Sequence, residues 1–306
     1  MKRFRDFNSY LRELFGERVQ KISLDAGLSC PNRDGSISDK GCIFCDSRGS
    51  GTGAYSNHGL SIDEQIVRAR TFLQKRYKST KFIAYFQSFT NTHAPCARLK
   101  EIYNRALNHQ GIVGLSVATR PDCVNHEILS LLGSYIKDYL VWIEYGLQSA
   151  HDATLSRINR GHDAACFEKS VHMANDYGLN TCAHVILGLP GETREMMLQT
   201  ARFLADLPVK GVKIHLLYVV QNTLLAELYR KGDYRCLERG EYIELVVDFL
   251  ELLPPATVIQ RITGDPIRSE LVAPLWANDK SKNRKLIMER LEERDAWQGK
   301  KYNQME

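Results

Sequence analysis

The stretch CPNRDGSISDKGCIFCD, residues 30–46, sets Cys30, Cys42 and Cys45 in the spacing C-x11-C-x2-C. It follows VQKISL at 19–24, an apolar and β-branched run that reads as a strand. The cysteines therefore sit in a loop at a strand's C-terminal end, where barrel enzymes place their chemistry. A closed zinc site wants four ligands in paired clusters, and neither Asp46 nor the distant His58 makes a recognisable second pair. Three thiolates on a [4Fe–4S] cluster leave one iron open to chelation by a small molecule. Spacing alone leaves open such a cluster, a zinc ion completed by a remote histidine, and three incidental buried cysteines.

Outward from this loop the chain repeats one unit. Five further strand-like runs follow: KFIAYF at 81–86, IVGLSV at 112–117, YLVWIEYG at 139–146, NTCAHVILG at 180–188 and VKIHLLY at 212–218. Helical spacing lies between them, as in SIDEQIVRARTFLQKRY from Ser61, where Ser61 and Glu64 form a capping-box pattern. Strand and helix in alternation imply parallel strands joined by right-handed crossovers, in an open sheet or a whole or partial barrel. Six such units predict an α/β fold, a partial (β/α)6 TIM-type barrel over 19–222. A helical extension over 1–18 precedes it, and a C-terminal α/β appendage over 223–306 packs on it. That appendage holds a helix at 238–253, a break at Pro254 and Pro255, a strand-like TVIQRI at 257–262 and a charged helix near 280–297.

With 306 residues, 43% of them hydrophobic and 25% charged, the chain can bury a large core. No apolar run approaches the ~18 residues of a membrane span and the N-terminal stretch lacks a signal peptide's apolar region, so a cytoplasmic, membrane-free protein is expected. Eight cysteines in a reducing compartment argue for metal binding, catalysis or burial over a disulfide framework. A net charge of +5 permits a nucleic-acid partner without demanding one. The oligomeric state is left unspecified.

A cysteine triplet after the first strand, with aromatic Phe44 just before the last cysteine, resembles the radical S-adenosylmethionine (radical SAM) family. The common spacing there is C-x3-C-x2-C. The longer first spacer is similar to the subgroup of YhcC and YtqA, related to the radical SAM domain of the Elongator catalytic subunit. The likeness extends through SCPNRDG at 29–35, AYFQSFTNT at 84–92, VATRPDCV at 117–124, EYGLQSAHDATLSRINRGHD at 144–163, HVILGLPGET at 184–193 and RITGDP with LVAPLW at 261–276.

The resemblance implies a radical SAM core over 19–222, a [4Fe–4S] cluster on Cys30, Cys42 and Cys45, and S-adenosylmethionine (SAM) on the open iron. One electron from the cluster would cleave SAM to methionine and a 5′-deoxyadenosyl radical, which abstracts hydrogen from substrate. It also implies SAM contacts. Gln87, Ser88 and Thr90 end the second strand, where the methionine amino group is recognised. Glu144, with Gln148 close behind, could accept from ribose hydroxyls; the alternative is a charged strand end exposed to water. Arg160 can pair bidentately with the SAM carboxylate, or be an ordinary connection arginine. Ile186 and Gly188 would lie beside adenine, while Gly188, Pro190 and Gly191 also read as a turn before a helix capped by Thr193. Thr119 and Arg120 follow the third strand with a SAM or substrate role, the alternative being Asp122 as cap of the next helix. His93, His162, His184 and His215 read as satisfied polar residues, and none is assigned as a base. Cys96, Cys123, Cys166, Cys182 and Cys236 lack ligand spacing and read as buried small hydrophobes.

Resemblance to the Elongator subunit suggests a tRNA substrate and wobble-uridine side-chain chemistry, with a reductant such as flavodoxin or ferredoxin as partner. Lys2, Arg3, Arg5, Arg12 and Arg18, with Lys280, Lys282, Arg284 and Lys285, would meet phosphates if they converge. Interleaved glutamates make solvated helix faces the alternative. A small-metabolite substrate and a non-catalytic metal protein stay open beside tRNA.

Overall fold

The computed structural model describes residues 2–46, 49 and 59–302; His58 lies outside them. In chain order the elements are α1 (Phe7–Phe15), β1 (Val19–Leu24), α2 (Ile62–Tyr77), β2 (Lys81–Phe86), α3 (Cys96–Leu107), β3 (Ile112–Thr119), α4 (His126–Ser134), β4 (Leu140–Gln148), α5 (Asp152–Arg157), α6 (Ala164–Asp176), β5 (Asn180–Leu187), α7 (Arg194–Ala205), β6 (Gly211–Leu216), β7 (Val219–Val220), α8 (Leu224–Lys231), α9 (Arg239–Leu252), β8 (Val258–Arg261), β9 (Leu271–Ala273) and α10 (Lys280–Glu293).

Several helices start where a side chain satisfies one of their first N–H groups. Ser61 and Glu64 complete the capping box of α2, Asp163 caps α6 and Thr193 caps α7. Asn125, not Asp122, caps α4, because its side chain accepts from Ile128 N. Asp122 is instead engaged by Arg120.

Strands β1 to β6 pair in parallel in sequence order, as the repeating unit predicts. A seventh strand joins them: β8, the TVIQRI run of the C-terminal region, pairs in parallel with β6. The sheet curls into a half-barrel, with the main apolar core between its outer face and the surrounding helices.

Inside the barrel the residues form layers, since inward-facing side chains recur every second position. At the N-terminal ends of the strands lie Trp142, Cys182 and Val258, packed with Phe7 and Tyr10 of α1. Both aromatic rings of α1 meet Trp142 edge-on, at 6.0 and 5.9 Å between centroids. The N-terminal helix thus plugs the barrel from below. The next layer is polar, and a cavity opens above it. At that open end a second apolar cluster, including Ile43, Ile158, Leu217 and Leu225, packs beneath the cysteine loop with Phe44 and Ile186 at its edge.

Helix α10 sets the distance between two groups of basic residues. Its first residue, Lys280, pairs with Asp265 beyond the C-terminal end of β8, whereas Glu292, near its far end, pairs with Arg3 beside α1. Fourteen helical residues separate these ends by about 20 Å. Arg3 is thereby held at the far end of the helix whose first turns carry Lys280, Lys282, Arg284 and Lys285. Lys2, Arg3, Arg5 and Lys285 are paired with Asp6, Glu292 and Asp295, Glu13 and Glu289.

Candidate functional site

The cysteine loop is fastened by the segment after α5. Asn159 donates from Nδ2 to the Gly41 carbonyl at 2.6 Å, and Asn32 Nδ2 donates to the Asn159 carbonyl at 2.6 Å. Ile43 N donates to the Ile158 carbonyl, and Leu225 N donates to the Ile43 carbonyl. Gly161 closes the join in the left-handed region (φ 76°), where an added Cβ would meet Ile37, Arg120 and Asn32 at 3.1 to 3.2 Å. Only a residue without a side chain fits there without displacing them.

Arg120 ties this junction to β3. Its Nε and Nη2 donate to the two oxygens of Asp122 at 2.9 and 2.7 Å, and Nη1 donates to the Arg160 carbonyl at 2.8 Å. Asp122 is thereby the partner of Arg120, which is why it does not cap α4. Beside it, Thr119 and Thr92 share a hydrogen bond of 2.5 Å.

Arg160 turns inward from the same junction. Its Nε and Nη2 donate to the Gly146 carbonyl at 3.2 and 2.7 Å, and Nη1 stands 3.6 Å from the Cys42 sulfur. The Gly146 carbonyl is offered to it by an irregularity in β4, where the register shifts between Gly146 and Gln148. Gln148 there takes a φ of 76°, a strained conformation for a residue with a Cβ and one that clusters at functional sites.

These elements enclose a cavity of about 190 Å³ at the C-terminal ends of the strands. Cys30, Cys42 and Cys45 all line it, together with Phe44, Gln87, Thr90, Thr119, Arg120, Glu144, Gln148, Arg160 and Ile186. The structure thus collects onto one cavity residues spread over five strand ends. Ser88 and Gly188 stand outside its lining. Ser88 is buried, and Gly188 gives its carbonyl to Tyr234 Oη at 2.9 Å.

The cysteine chemistry is graded. The Cys42 thiol is brought down to about 5, first by a hydrogen bond from Cys45 and then, against its burial, by Arg160 and Arg120. Cys45 is pushed up, by that same hydrogen bond and by burial. Of the other cysteines, Cys182 and Cys236 are buried as expected, the Cys182 thiol being pushed up by burial first, whereas Cys96, Cys123 and Cys166 are only half-buried. A carboxylate oxygen of Glu144, the Cys182 sulfur and a nitrogen of His184 lie within 4.8 Å of one another. That carboxylate is already engaged by Lys21 and Lys213.

Glu144 is fully buried in mid-strand, so it is not a strand end exposed to water. Four donors occupy its oxygens. Lys21 Nζ reaches Oε1 at 2.6 Å and His184 Nε2 reaches Oε2 at 2.7 Å; Ser116 Oγ and Lys213 Nζ complete the set. Burial raises its pKa, but Lys21, Lys213 and His184 outweigh that and hold the carboxyl well below the usual range. A ribose would compete with all four donors. Glu144 is the counter-ion of the cavity floor.

Lys21, Tyr85, Lys213, His215 and Arg261 carry no SAM or cluster role in the sequence reading, and the structure brings them to this floor and wall. Four of them have a signal in the sequence. Parallel strands buried on both faces read as apolar runs, so Lys21, Lys213 and His215 inside such runs, and Arg261 at the end of one, mark positions facing a polar interior. His184 and His93 have carboxylate partners, Glu144 and Asp34, as expected of satisfied histidines. His215 Nε2 and His162 Nε2 do not, being buried without hydrogen-bond partners.

Residues 34–204 match the family described as the radical SAM superfamily, more than half of the chain. The chain belongs to the radical SAM superfamily. The match takes in Cys42 and Cys45 and begins just past Cys30, the cysteine set apart by the long spacer. Residues 209–293 match the radical SAM C-terminal domain. Membership carries the cofactors of radical SAM proteins, a [4Fe–4S] cluster and S-adenosylmethionine.

Among similar proteins, YtqA of Bacillus subtilis is 40% identical over 305 residues, covering 100% of this chain and 94% of YtqA. Elongator complex protein 3 of Homo sapiens is 30% identical over 214 residues, covering 68% of this chain and 38% of that protein. The solved structure of Methanocaldococcus infernus Elp3, lacking its N-terminal residues, superposes with a TM-score of 0.72 at 18% identity over 94% of this chain and 67% of that one. The fold is thus shared with an Elp3. Among the described residues, no helix is long and apolar enough to cross a membrane.

Proposed function

We propose that this radical SAM protein is an enzyme that holds its cluster on Cys30, Cys42 and Cys45, cleaves SAM reductively and removes a hydrogen atom from a uridine side chain of tRNA. The observation that supports this most is the convergence of the three cysteines on one cavity inside the strand ends.

The residues present fit a thiolate-bound cluster. Arg160 opposes the negative charge that cluster thiolates carry, and Cys42 is held toward the thiolate form. Across the cavity, Thr90 Oγ1 is buried without a hydrogen-bond partner, an atom that a polar ligand would satisfy. When bound, the cluster supplies one electron that breaks a carbon–sulfur bond of SAM, giving methionine and a 5′-deoxyadenosyl radical. A reductant such as flavodoxin or ferredoxin would provide that electron.

The chain's own work is binding, orientation and exclusion of water. Gln87, Thr90 and Gln148 offer hydrogen bonds to the amino and carboxylate groups of SAM, and Ile186 offers an apolar wall to adenine. Arg160 serves through Nη1 at the cluster side. Arg120, its donors committed to Asp122 and to the backbone of residue 160, positions that arginine, and Thr119 with Thr92 stiffens the same corner. Ser88 and Gly188 support the rim from behind. Phe44 seats the cysteine loop on the apolar cluster below it.

The tRNA assignment rests on the likeness to Elongator complex protein 3, 30% identical over the shared region. The test is to incubate reconstituted protein with SAM, reductant and bulk tRNA, digest the RNA and analyse its nucleosides by mass spectrometry. A SAM-dependent mass change in a uridine derivative supports the reading. Formation of 5′-deoxyadenosine with no change in any nucleoside would move the substrate to a small metabolite.

A further inference from the structure

Arg261 ends β8 and opens the RITGDP stretch, and its side chain lines the cavity. Among the described residues it has neither a hydrogen bond from its side chain nor an ion pair; of the other cations lining the cavity, Arg33 of the cysteine loop shares that state, its Nη1 being buried without a partner, and the rest are engaged. Lys21 and Lys213 share Glu144, Arg120 holds Asp122, and Asp265, the acidic residue lining the same wall, is taken by Lys280. A half-buried guanidinium without a counter-ion is costly unless a ligand supplies one.

His215 faces the same space. It lines the cavity from β6, and its Nε2 is buried without a partner. Burial first, and then the charge of Arg261, hold its imidazole well below the ordinary histidine range. The register that aligns Lys213 with Arg261 puts β6 and β8 side by side. An unpaired guanidinium and an unpaired imidazole therefore share one wall. The residues directed at SAM come instead from β2, β4, β5 and the junction at Arg160.

We propose that Arg261 and His215 form a subsite for a carboxylate carried by the substrate. This rests on reading the cavity as the radical site, and it narrows the substrate to a molecule or nucleoside side chain bearing a carboxyl group. A guanidinium fork matches two coplanar carboxylate oxygens. A phosphate dianion suits the wall less well, because Arg261 brings one formal positive charge while Lys213 and Arg120, which also line the cavity, are already paired with Glu144 and Asp122.

The test uses the anaerobically reconstituted protein, unreduced, with saturating SAM so that the SAM carboxylate site is filled. Acetate labelled with ¹³C is titrated and its transverse relaxation measured, with inorganic phosphate followed by ³¹P in a parallel arm. Wild type should show saturable acetate binding. Arg261→Met should weaken it about tenfold or more and Arg261→Lys by about threefold, because lysine keeps the charge but not the fork. SAM affinity should change less than about twofold in both variants. The proposal is overturned if Arg261→Met binds acetate like wild type, if wild type binds none, if phosphate binds more tightly than acetate, or if Arg261→Met loses SAM affinity about tenfold. The titration is repeated without SAM and needs no reduction. A protein that never forms 5′-deoxyadenosine would sink the radical reading and still report on Arg261.

Discussion

The Arg160 guanidinium stands 3.6 Å from the Cys42 sulfur while two of its nitrogens grip the Gly146 carbonyl. One side chain thus joins three parts of the chain: the cysteine loop, the irregular end of β4 and the turn after α5. The carbonyl of the same residue receives Arg120, so the two arginines lock one another in place. The geometry makes Arg160 an electrostatic neighbour of the cysteines and a splint for the rim.

Replacing Arg160 with Met removes a positive charge beside the cluster thiolates. A nearby cation favours the reduced, more negative cluster, so its loss should shift the midpoint potential downward, by on the order of tens of millivolts. Iron content and an anaerobic redox titration check this. A Met variant with unchanged potential at full iron loading would mean that Arg160 does not act on the cluster.

Gly146→Ala should reach the same residue from the other side. The added Cβ would collide with Arg160 Nη2 and lie 2.7 Å from Gln148 Nε2, forcing both side chains away from the positions they hold at the cavity. Affinity for SAM should fall about tenfold or more, since loss of a charged hydrogen bond costs about 1.5–3 kcal/mol. Equilibrium binding of SAM to the unreduced protein measures it, and an affinity equal to wild type would place SAM elsewhere.

Glu144→Gln leaves the half-buried Lys21 and the buried Lys213 without their shared counter-charge. Breaking a buried ion pair from one side costs about 3–5 kcal/mol, to be read from denaturant unfolding. The carboxyl is held below its ordinary value of 4.5 in the folded protein, so below that pH the unfolded chain binds a proton that the folded one refuses. Its contribution to stability is complete above 4.5 and is lost as pH falls toward the folded value. Acid unfolding of the Gln variant should lack that component.

Lys213 has the opposite linkage. Burial first, and then Lys21, bring it down to about 7 against the pull of Glu144. Between about 7 and its ordinary value of 10.5, the unfolded chain carries a proton that the folded chain sheds, so this group's contribution to stability rises with pH across that window. Unfolding midpoints taken at several pH values between about 6 and about 10 span most of it. They should show a slope in wild type that Lys213→Met flattens. Equal slopes would mean that Lys213 keeps its proton throughout.

The strands and the cysteine loop are legible in the sequence because both are local patterns: apolar runs at regular spacing, and three thiols close together. The seventh strand is visible as TVIQRI, but its place beside β6 depends on a pairing across more than forty residues that no local pattern encodes. Glu144 stands out in sequence while its surroundings do not, because its partners Lys21, His184 and Lys213 come from three other strands. The basic termini read as free charges in sequence, which carries no information on the pairing of Arg3 with Glu292 and Asp295 across the fold. Arg261 lies in the RITGDP stretch, yet its lack of a counter-ion among the described residues is visible only once its neighbours are placed.

The most direct measurement is 5′-deoxyadenosine formation by anaerobically reconstituted wild type and Cys42→Ala, reduced in the presence of SAM and bulk tRNA. The account expects wild type to form 5′-deoxyadenosine and methionine together and Cys42→Ala to form neither. A wild-type protein with a full, reduced cluster and bound SAM that yields no 5′-deoxyadenosine would contradict it.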